Sequence, residues 1–181
     1  GLVVSLNNDV PLAIGAALNR TVYEDALQGG NGGSGETALT ATFGLSDLAT
    51  QLSAGADGPV SYSLAVANNT ATGLTQGGKV IRYVTEGSKV VGVVDVDGSG
   101  VISAAEQSGN RVFEVSYSSS SGVTFTLLDN VDNGGGDGSS VSLDLAGIVL
   151  ATDGDGDAVP LGSGLVVSLN NDVPLAIGAA L

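Results

Sequence analysis

Apolar and polar residues alternate along this chain in short runs, separated by clusters of Gly, Ser, Asn and Asp. The alternation has the two-residue period of a strand, and the clusters supply the backbone conformations of tight turns. Lys79 to Thr85 and Lys89 to Asp95 flank Glu86-Gly87-Ser88, which predicts a hairpin. Arg111 to Tyr117 and Gly122 to Leu128 predict a second one across a serine run. Further strands are expected over Leu2 to Leu6, Thr37 to Gly44, Val60 to Ala67, Val141 to Leu150 and Leu165 to Leu169, with Gln28 to Gly35 a Gly-rich loop. One segment breaks the period: Leu45, Leu48, Ala49 and Leu52 recur at helical spacing with Gly55 behind them, predicting a short helix from about Ser46 to Ser53. Eight or nine short strands between turn clusters predict an all-β fold of the β-sandwich type.

The pattern also repeats on a longer scale. Residues 1–18, GLVVSLNNDVPLAIGAAL, recur without change as residues 164–181, so the period is 163 residues. Solenoid repeats run to about 20 to 50 residues, so a unit of this length should be a domain with its own core, one bead in a tandem string. The expected organisation is an overlap with a preceding unit and linker over residues 1–10, a single sandwich over 11–170, and a linker and start of the next unit over 171–181. Asn7-Asn8-Asp9-Val10-Pro11 has the form of a junction, because the polar triplet stops a strand and proline stiffens the exit. Leu2 to Leu6 duplicates the final strand, so it is expected to be a loose tail or to pair with a neighbouring molecule.

Composition narrows the function. Nineteen acids against five bases give a formal net charge of −14, which excludes nucleic acid and anionic membrane surfaces as partners. With no Cys, Met, Trp or His, disulfides, soft-metal sites and an imidazole base are all unavailable. Only 13% of residues are charged, so the acids are few, clustered and nearly uncompensated, an arrangement suited to hard cations. Bound metal can then act as the staple that a small disulfide-free extracellular domain otherwise lacks.

The strongest local signal is Asp95-Val-Asp-Gly-Ser-Gly-Val-Ile-Ser-Ala-Ala-Glu106. A calcium loop of the EF-hand type requires oxygens at positions 1, 3 and 5, glycine at 6, a backbone carbonyl at 7, an oxygen or water at 9 and a bidentate Glu at 12. Asp95, Asp97, Ser99, Gly100, Val101, Ser103 and Glu106 meet those demands in order. The flanks differ from an EF-hand: Lys89 to Val94 is a strand pattern, and only Ala104 to Gln107 offers an exit turn. The competing reading is a solvated acidic turn; Gly and Glu in register favour calcium.

A second run, Asp153-Gly-Asp155-Gly-Asp157, lets a bare backbone fold tightly enough for carboxylates to converge on one cation. Asp172, whose copy at the preceding junction is Asp9, is expected to join it, with Glu24 and Asp25 of the following unit closing an interdomain calcium site. A bare linker with Asp-Gly turns is the alternative. Asp129, Asp132 and Asp137 form a third, weaker cluster that reads equally well as a solvated loop. Catalysis finds little support: there is no His or Cys, no Gly-x-Ser-x-Gly elbow, and little aromatic surface for a sugar cleft. The chain is read as a non-enzyme.

The Asn-Asp-Val-Pro junction, Tyr23-Glu-Asp-Ala-Leu27, Phe125-Thr-Leu-Leu-Asp-Asn-Val-Asp132 and Thr152-Asp-Gly-Asp-Gly-Asp157, with the long period, resemble the extender repeats of giant repeats-in-toxin (RTX) adhesins. The resemblance implies an immunoglobulin-like β-sandwich that binds calcium, some of it at linkers. It further implies type I secretion, an extracellular place on a bacterial surface, and a role in cell adhesion and biofilm as a spacer holding a ligand-binding region away from the cell. Its partners would be identical repeats in the same chain, each unit being otherwise a monomer with end-to-end contacts and no membrane insertion. The Asp95 loop rests on its own spacing, not on this resemblance. The alternative function is a calcium-dependent carbohydrate-binding module acting by avidity.

Overall fold

The computed structural model describes residues 3, 10–32, 34–55, 58–136 and 138–172. In chain order the elements are β1 (Leu12–Ala13), β2 (Leu18–Tyr23), a 3-10 turn (Glu24–Ala26), β3 (Thr40–Phe43), α1 (Leu45–Thr50), β4 (Leu52–Ser53), β5 (Ser61–Leu64), β6 (Ala71–Gln76), β7 (Lys79–Glu86), β8 (Lys89–Val94) and α2 (Ala104–Gly109). They continue with β9 (Arg111–Ser118), β10 (Gly122–Leu127), β11 (Ser140–Asp144), a 3-10 turn (Ala146–Ile148), β12 (Val149–Thr152), β13 (Ala158–Pro160) and β14 (Leu165–Asn170).

Both predicted hairpins are present, as β7–β8 and β9–β10, and they form the middle of a six-stranded sheet in the order β3-β10-β9-β8-β7-β6. Two three-stranded sheets, β11-β14-β2 and β13-β12-β5, make up the other layer, and β1 pairs with β4. Alternation sends one face of each strand into a single core, where Phe43, Phe113, Phe125, Ile81, Val115 and Val123 of the large sheet meet Val22, Leu143, Val149, Leu165, Val167 and Leu169. The fold is an all-β sandwich. A smaller cluster of Val84, Val91, Val93 and Ile102 lies apart from it, so the segment after β8 folds back and covers part of the large sheet.

Several predicted elements differ in extent. The helix is α1, shorter than expected, because Leu52 and Ser53 leave it to pair with Ala13 and Leu12. Val141 to Leu150 is two strands rather than one. Asp144 interrupts it, its carboxylate accepting from the Ala146, Gly164 and Leu165 amides at 2.9, 2.9 and 3.2 Å. β6 and β13 carry no clear apolar alternation and were not predicted. Leu2, residues 4–9, Asp137 and residues 173–181 lie outside the described residues.

The first and last long strands, β2 and β14, run side by side in parallel, from Leu165 opposite Leu18 to Asn170 opposite Tyr23. This pairing brings the 3-10 turn after β2 and the residues after β14 to the same pole of the sandwich.

Candidate metal centres

The Asp95 loop is entered from β8 and left through α2, so a strand stands where an EF-hand has its first helix. Ser103 is the N-cap of α2 and accepts from the Glu106 amide at 3.3 Å. Glu106 reaches back: its Oε2 accepts from the Ser103 amide at 2.8 Å and the Ser103 hydroxyl at 2.7 Å. This reciprocal capping box, encoded by Ser-x-x-Glu, fixes positions 9 and 12 of the loop relative to each other. Oε1 of Glu106 accepts from the Val96 amide at 2.9 Å, which ties position 12 to the loop entrance.

At the loop's start, Asp95 is 1% exposed. Its Oδ2 accepts from Arg82 Nε at 2.7 Å and from the Gly100 amide at 2.9 Å, while its buried Oδ1 has no hydrogen-bond donor. Gly100 has φ of +83°, a left-handed turn that lets its amide point back at Asp95. Asp97 Oδ1 accepts from the Ser99 amide at 2.9 Å, and the Ser99 hydroxyl donates to the Val101 carbonyl at 2.9 Å. Carboxylate oxygens of Asp95, Asp97 and Glu106 lie within 4.8 Å of one another. Two oxygens each about 2.4 Å from one calcium ion can be up to about 4.8 Å apart, so these three are spaced to share a cation.

Electrostatics agree with that geometry. The hydrogen bond from Arg82 is the main cause holding the Asp95 carboxyl below its ordinary range, and the Ser103 amide and hydroxyl do the same for Glu106. Three carboxylates and one guanidinium leave two net negative charges, the complement of a divalent ion. Sequence reasoning missed Arg82 and Asn69. Arg82 Nη1 donates to the Asn69 carbonyl at 3.0 Å, and Asn69 Oδ1 accepts from the Ile102 amide at 2.8 Å, so the two brace the loop from the neighbouring turn. Arg82 lies on the predicted hairpin opposite Val93, and that register was the available signal.

The β12–β13 turn brings Asp153, Asp155 and Asp157 together, again with carboxylate oxygens within 4.8 Å. Asp153 is 6% exposed; its Oδ1 accepts from the Gly156 and Asp157 amides at 3.0 and 2.9 Å, and its buried Oδ2 has no donor. Burial pushes the Asp153 carboxyl up, but the amides of Asp157, Gly156 and Asp155 help to outweigh it and hold it low. Both clusters can hold a metal ion.

Asp172 is placed apart from this trio. It lines an open cleft of about 850 Å³ with Glu24, Asp129, Asp132, Asn133 and Asn171 of the same unit. The cleft lies just beyond the last residue of β10, Leu127. Asp153 follows Thr152, whose carbonyl accepts from the Ser61 hydroxyl at 3.3 Å, and Ser61 shares a cavity with Tyr117 and Ser119 just before β10 begins. A six-residue strand spans about 20 Å, so β10 separates the two clusters. The Val131 amide donates to Glu24 Oε1 at 2.7 Å. Burial is the main cause raising the Glu24 carboxyl, with the Asp172 and Asp25 charges adding to it. Glu24 and Asp25 are both buried in the 3-10 turn, and Asp9 lies outside the described residues.

A family described as domain of unknown function DUF5801 matches residues 20–160. The chain belongs to the DUF5801 family. Neither a curated protein nor a solved structure matches it. The part of the chain matched to DUF5801 takes in Glu24, Asp25, the Asp95 loop and the Asp153 turn, while β14 and Asp172 follow it. Within the DUF5801 unit, Asp132 is the third cluster's anchored member: its Oδ1 and Oδ2 accept from the Gly77 and Gly78 amides, each at 2.8 Å, clamping the β6–β7 turn. The Gly78 amide is the first cause holding its carboxyl low, followed by Thr75. A depressed carboxyl contributes stability above its unfolded pKa and loses it as pH falls through the lower folded value. Asp132→Asn should therefore cost about 1 kcal/mol at neutral pH. The deficit should shrink as pH falls below the ordinary carboxylate range toward the lower folded value, and denaturant melts at neutral and at acid pH check this.

Proposed function

We propose that this unit is a calcium-stiffened spacer, repeated in tandem in an extracellular adhesin of the RTX type and exported by type I secretion. The supporting observation is the buried, donor-free Oδ1 of Asp95 inside a loop with EF-hand spacing, matched by Oδ2 of Asp153 in the second cluster. A carboxylate oxygen buried without a donor is costly, and a hard cation removes that cost. Asp95, Asp97 and Glu106, with the Val101 carbonyl and Ser99 or Ser103 completing the shell, would hold one ion; Asp153, Asp155 and Asp157 would hold another. Two divalent ions take the formal net charge from −14 to −10 and tie each loop to its strands. At the junction pole, Asp172, Glu24 and Asp25 would offer carboxylates to an ion shared with the next unit. The role is mechanical reach, not catalysis, and the partners are identical repeats in the same chain.

Melting the protein in calcium and in chelator tests the reading. The expected result is a higher melting temperature and a more extended tandem pair by small-angle scattering when calcium is present. Identical melting and identical dimensions in both buffers would reject it.

A second reading is a calcium-dependent carbohydrate-binding module. It draws on the cavity of about 550 Å³ lined by Tyr62, Tyr117, Leu45 and Pro59, with Ser61 leading toward the Asp153 turn. Calcium-dependent retention on a glycan array, lost in Tyr62→Ala, would favour this reading over the spacer.

A further inference from the structure

The chain has five cationic side chains for nineteen acids, and one of the five is set against the start of the Asp95 loop. Among the described residues four ion pairs form. Arg20, Lys89 and Arg111 meet Asp47, Glu114 and Glu86, none of them buried, whereas Arg82 meets Asp95, which is.

This guanidinium is held from several sides. Its Nε donates to Asp95 Oδ2 at 2.7 Å and its Nη1 to the Asn69 carbonyl at 3.0 Å, a fork that a planar cation fills without turning. Asn69 is fixed in its turn. It stands at φ of +69°, alone among the described non-glycine residues in the left-handed region. Its amide donates to the Tyr83 carbonyl and its Oδ1 accepts from the Ile102 amide, each at 2.8 Å. On the loop side, a methyl group added at Gly100 would lie 3.8 Å from Arg82 Nη2.

Asp95 is thereby divided between two charges. Oδ2 is taken by Arg82 and the Gly100 amide, while Oδ1, buried and without a donor, is left for a cation. With no ion present, Arg82 cancels one of the three carboxylate charges and the loop keeps its shape. When an ion arrives, the Asn69 anchor keeps Arg82 beside it as a like charge. Two charges on opposite oxygens of one carboxylate stand about 6 Å apart. Screened as fully as in water, a unit charge at about that distance weakens the binding of a divalent ion about tenfold and of a trivalent ion about thirtyfold.

We propose that Arg82 is a fixed counter-charge that sets the strength of the Asp95 site: it holds the empty loop together and keeps calcium binding weak, so the site fills only where calcium is abundant. It is a positioning residue, touches the ion only through Asp95, and favours divalent over trivalent ions. The inference rests on the reading of the Asp95 loop as a calcium site.

Isothermal titration of the full chain and of Arg82→Gln tests it, followed at the site whose heat is lost in Asp95→Asn. Glutamine keeps a donor for Asp95 Oδ2 but carries no charge. Arg82→Gln should bind calcium about tenfold more tightly and terbium, a trivalent ion of similar size, about thirtyfold more tightly. In chelator it should melt below the parent. These opposed signs are the signature, because losing a merely structural brace lowers stability and affinity together. Arg20→Gln, the same loss of charge on β2, should leave the affinity of the Asp95 site unchanged. Arg82→Lys keeps the charge without the fork and should fall between the parent and Arg82→Gln, a result that decides the case even where Arg82→Gln fails to fold. Unchanged or weaker calcium binding in Arg82→Gln, an equal gain for both ions, or an Arg82→Lys affinity outside that interval overturns the counter-charge. A parent chain whose Asp95 loop takes up no calcium refutes the reading of the loop, and the inference with it.

Discussion

Asp95→Asn is expected to lose the calcium response of its loop while keeping the sandwich. The amide matches the carboxylate in shape, so the Gly100 contact survives, but the negative oxygen that faces a cation is gone and Arg82 is left with a weaker acceptor. A site held at a calcium concentration a hundredfold above its Kd contributes about 2.7 kcal/mol to stability by mass action. Scanning calorimetry of the parent in calcium and in chelator should resolve a difference of that order, smaller where calcium only just exceeds Kd. In Asp95→Asn one site's share should disappear, and in Asp153→Asn the other's. The Asp95 loop starts where its own amide donates to the Val80 carbonyl at 2.9 Å, close to the Gly78 turn that Asp132 clamps, whereas the Asp153 turn lies at the far end of β10. The two losses should therefore add in the double variant. If both single variants keep the parent's full calcium shift, neither cluster is the site.

The largest purely structural effect should come from Phe113→Ala. The ring is fully buried, packs 5.2 Å from Phe125 and meets Tyr83 edge-on at 6.0 Å between centroids. Truncation should cost about 3 to 5 kcal/mol in urea unfolding, a large part of the about 5 to 15 kcal/mol that holds a domain of this kind together. Gly92 sits opposite Phe113 on β8, and a methyl group added there would fall 2.2 Å from Cε1 of the ring. Gly92→Ala should then destabilise by about 1 to 3 kcal/mol through overpacking. Removing the ring makes room for that methyl, so the double variant should be less damaged than the two losses summed. Strict additivity would mean that the ring is not what excludes a side chain at Gly92.

What was legible in the sequence was local. The hairpins follow from alternation on both sides of a turn, and the Asp95 loop from twelve consecutive positions whose chemistry does not depend on distant chain. β6 was not legible because Ala71-Thr-Gly-Leu-Thr-Gln has little apolar rhythm, lies at the sheet edge and is irregular between Ala71 and Thr75. β13 ends in Pro160 and is held by one neighbour, β12. The company kept by Asp172 was hidden for another reason. The reading joined it to Asp153, near in sequence, but its position depends on a parallel ladder between strands at opposite ends of the chain, which carries Asn170 to Tyr23 and so Asp172 toward Glu24. Arg82, by contrast, is set beside Asp95 by the local β7–β8 hairpin, whose register in the sequence was enough to find it.

The parallel β2–β14 ladder also decides how the unit answers a pull on its two ends. Tension enters before Leu18 and leaves after Asn170, at opposite ends of two strands that lie side by side and point the same way. The strands are therefore dragged along each other, and the six facing pairs from Leu165–Leu18 to Asn170–Tyr23 bear the load together instead of opening one after another. A unit built this way resists in shear, and it yields only when the whole seam slips.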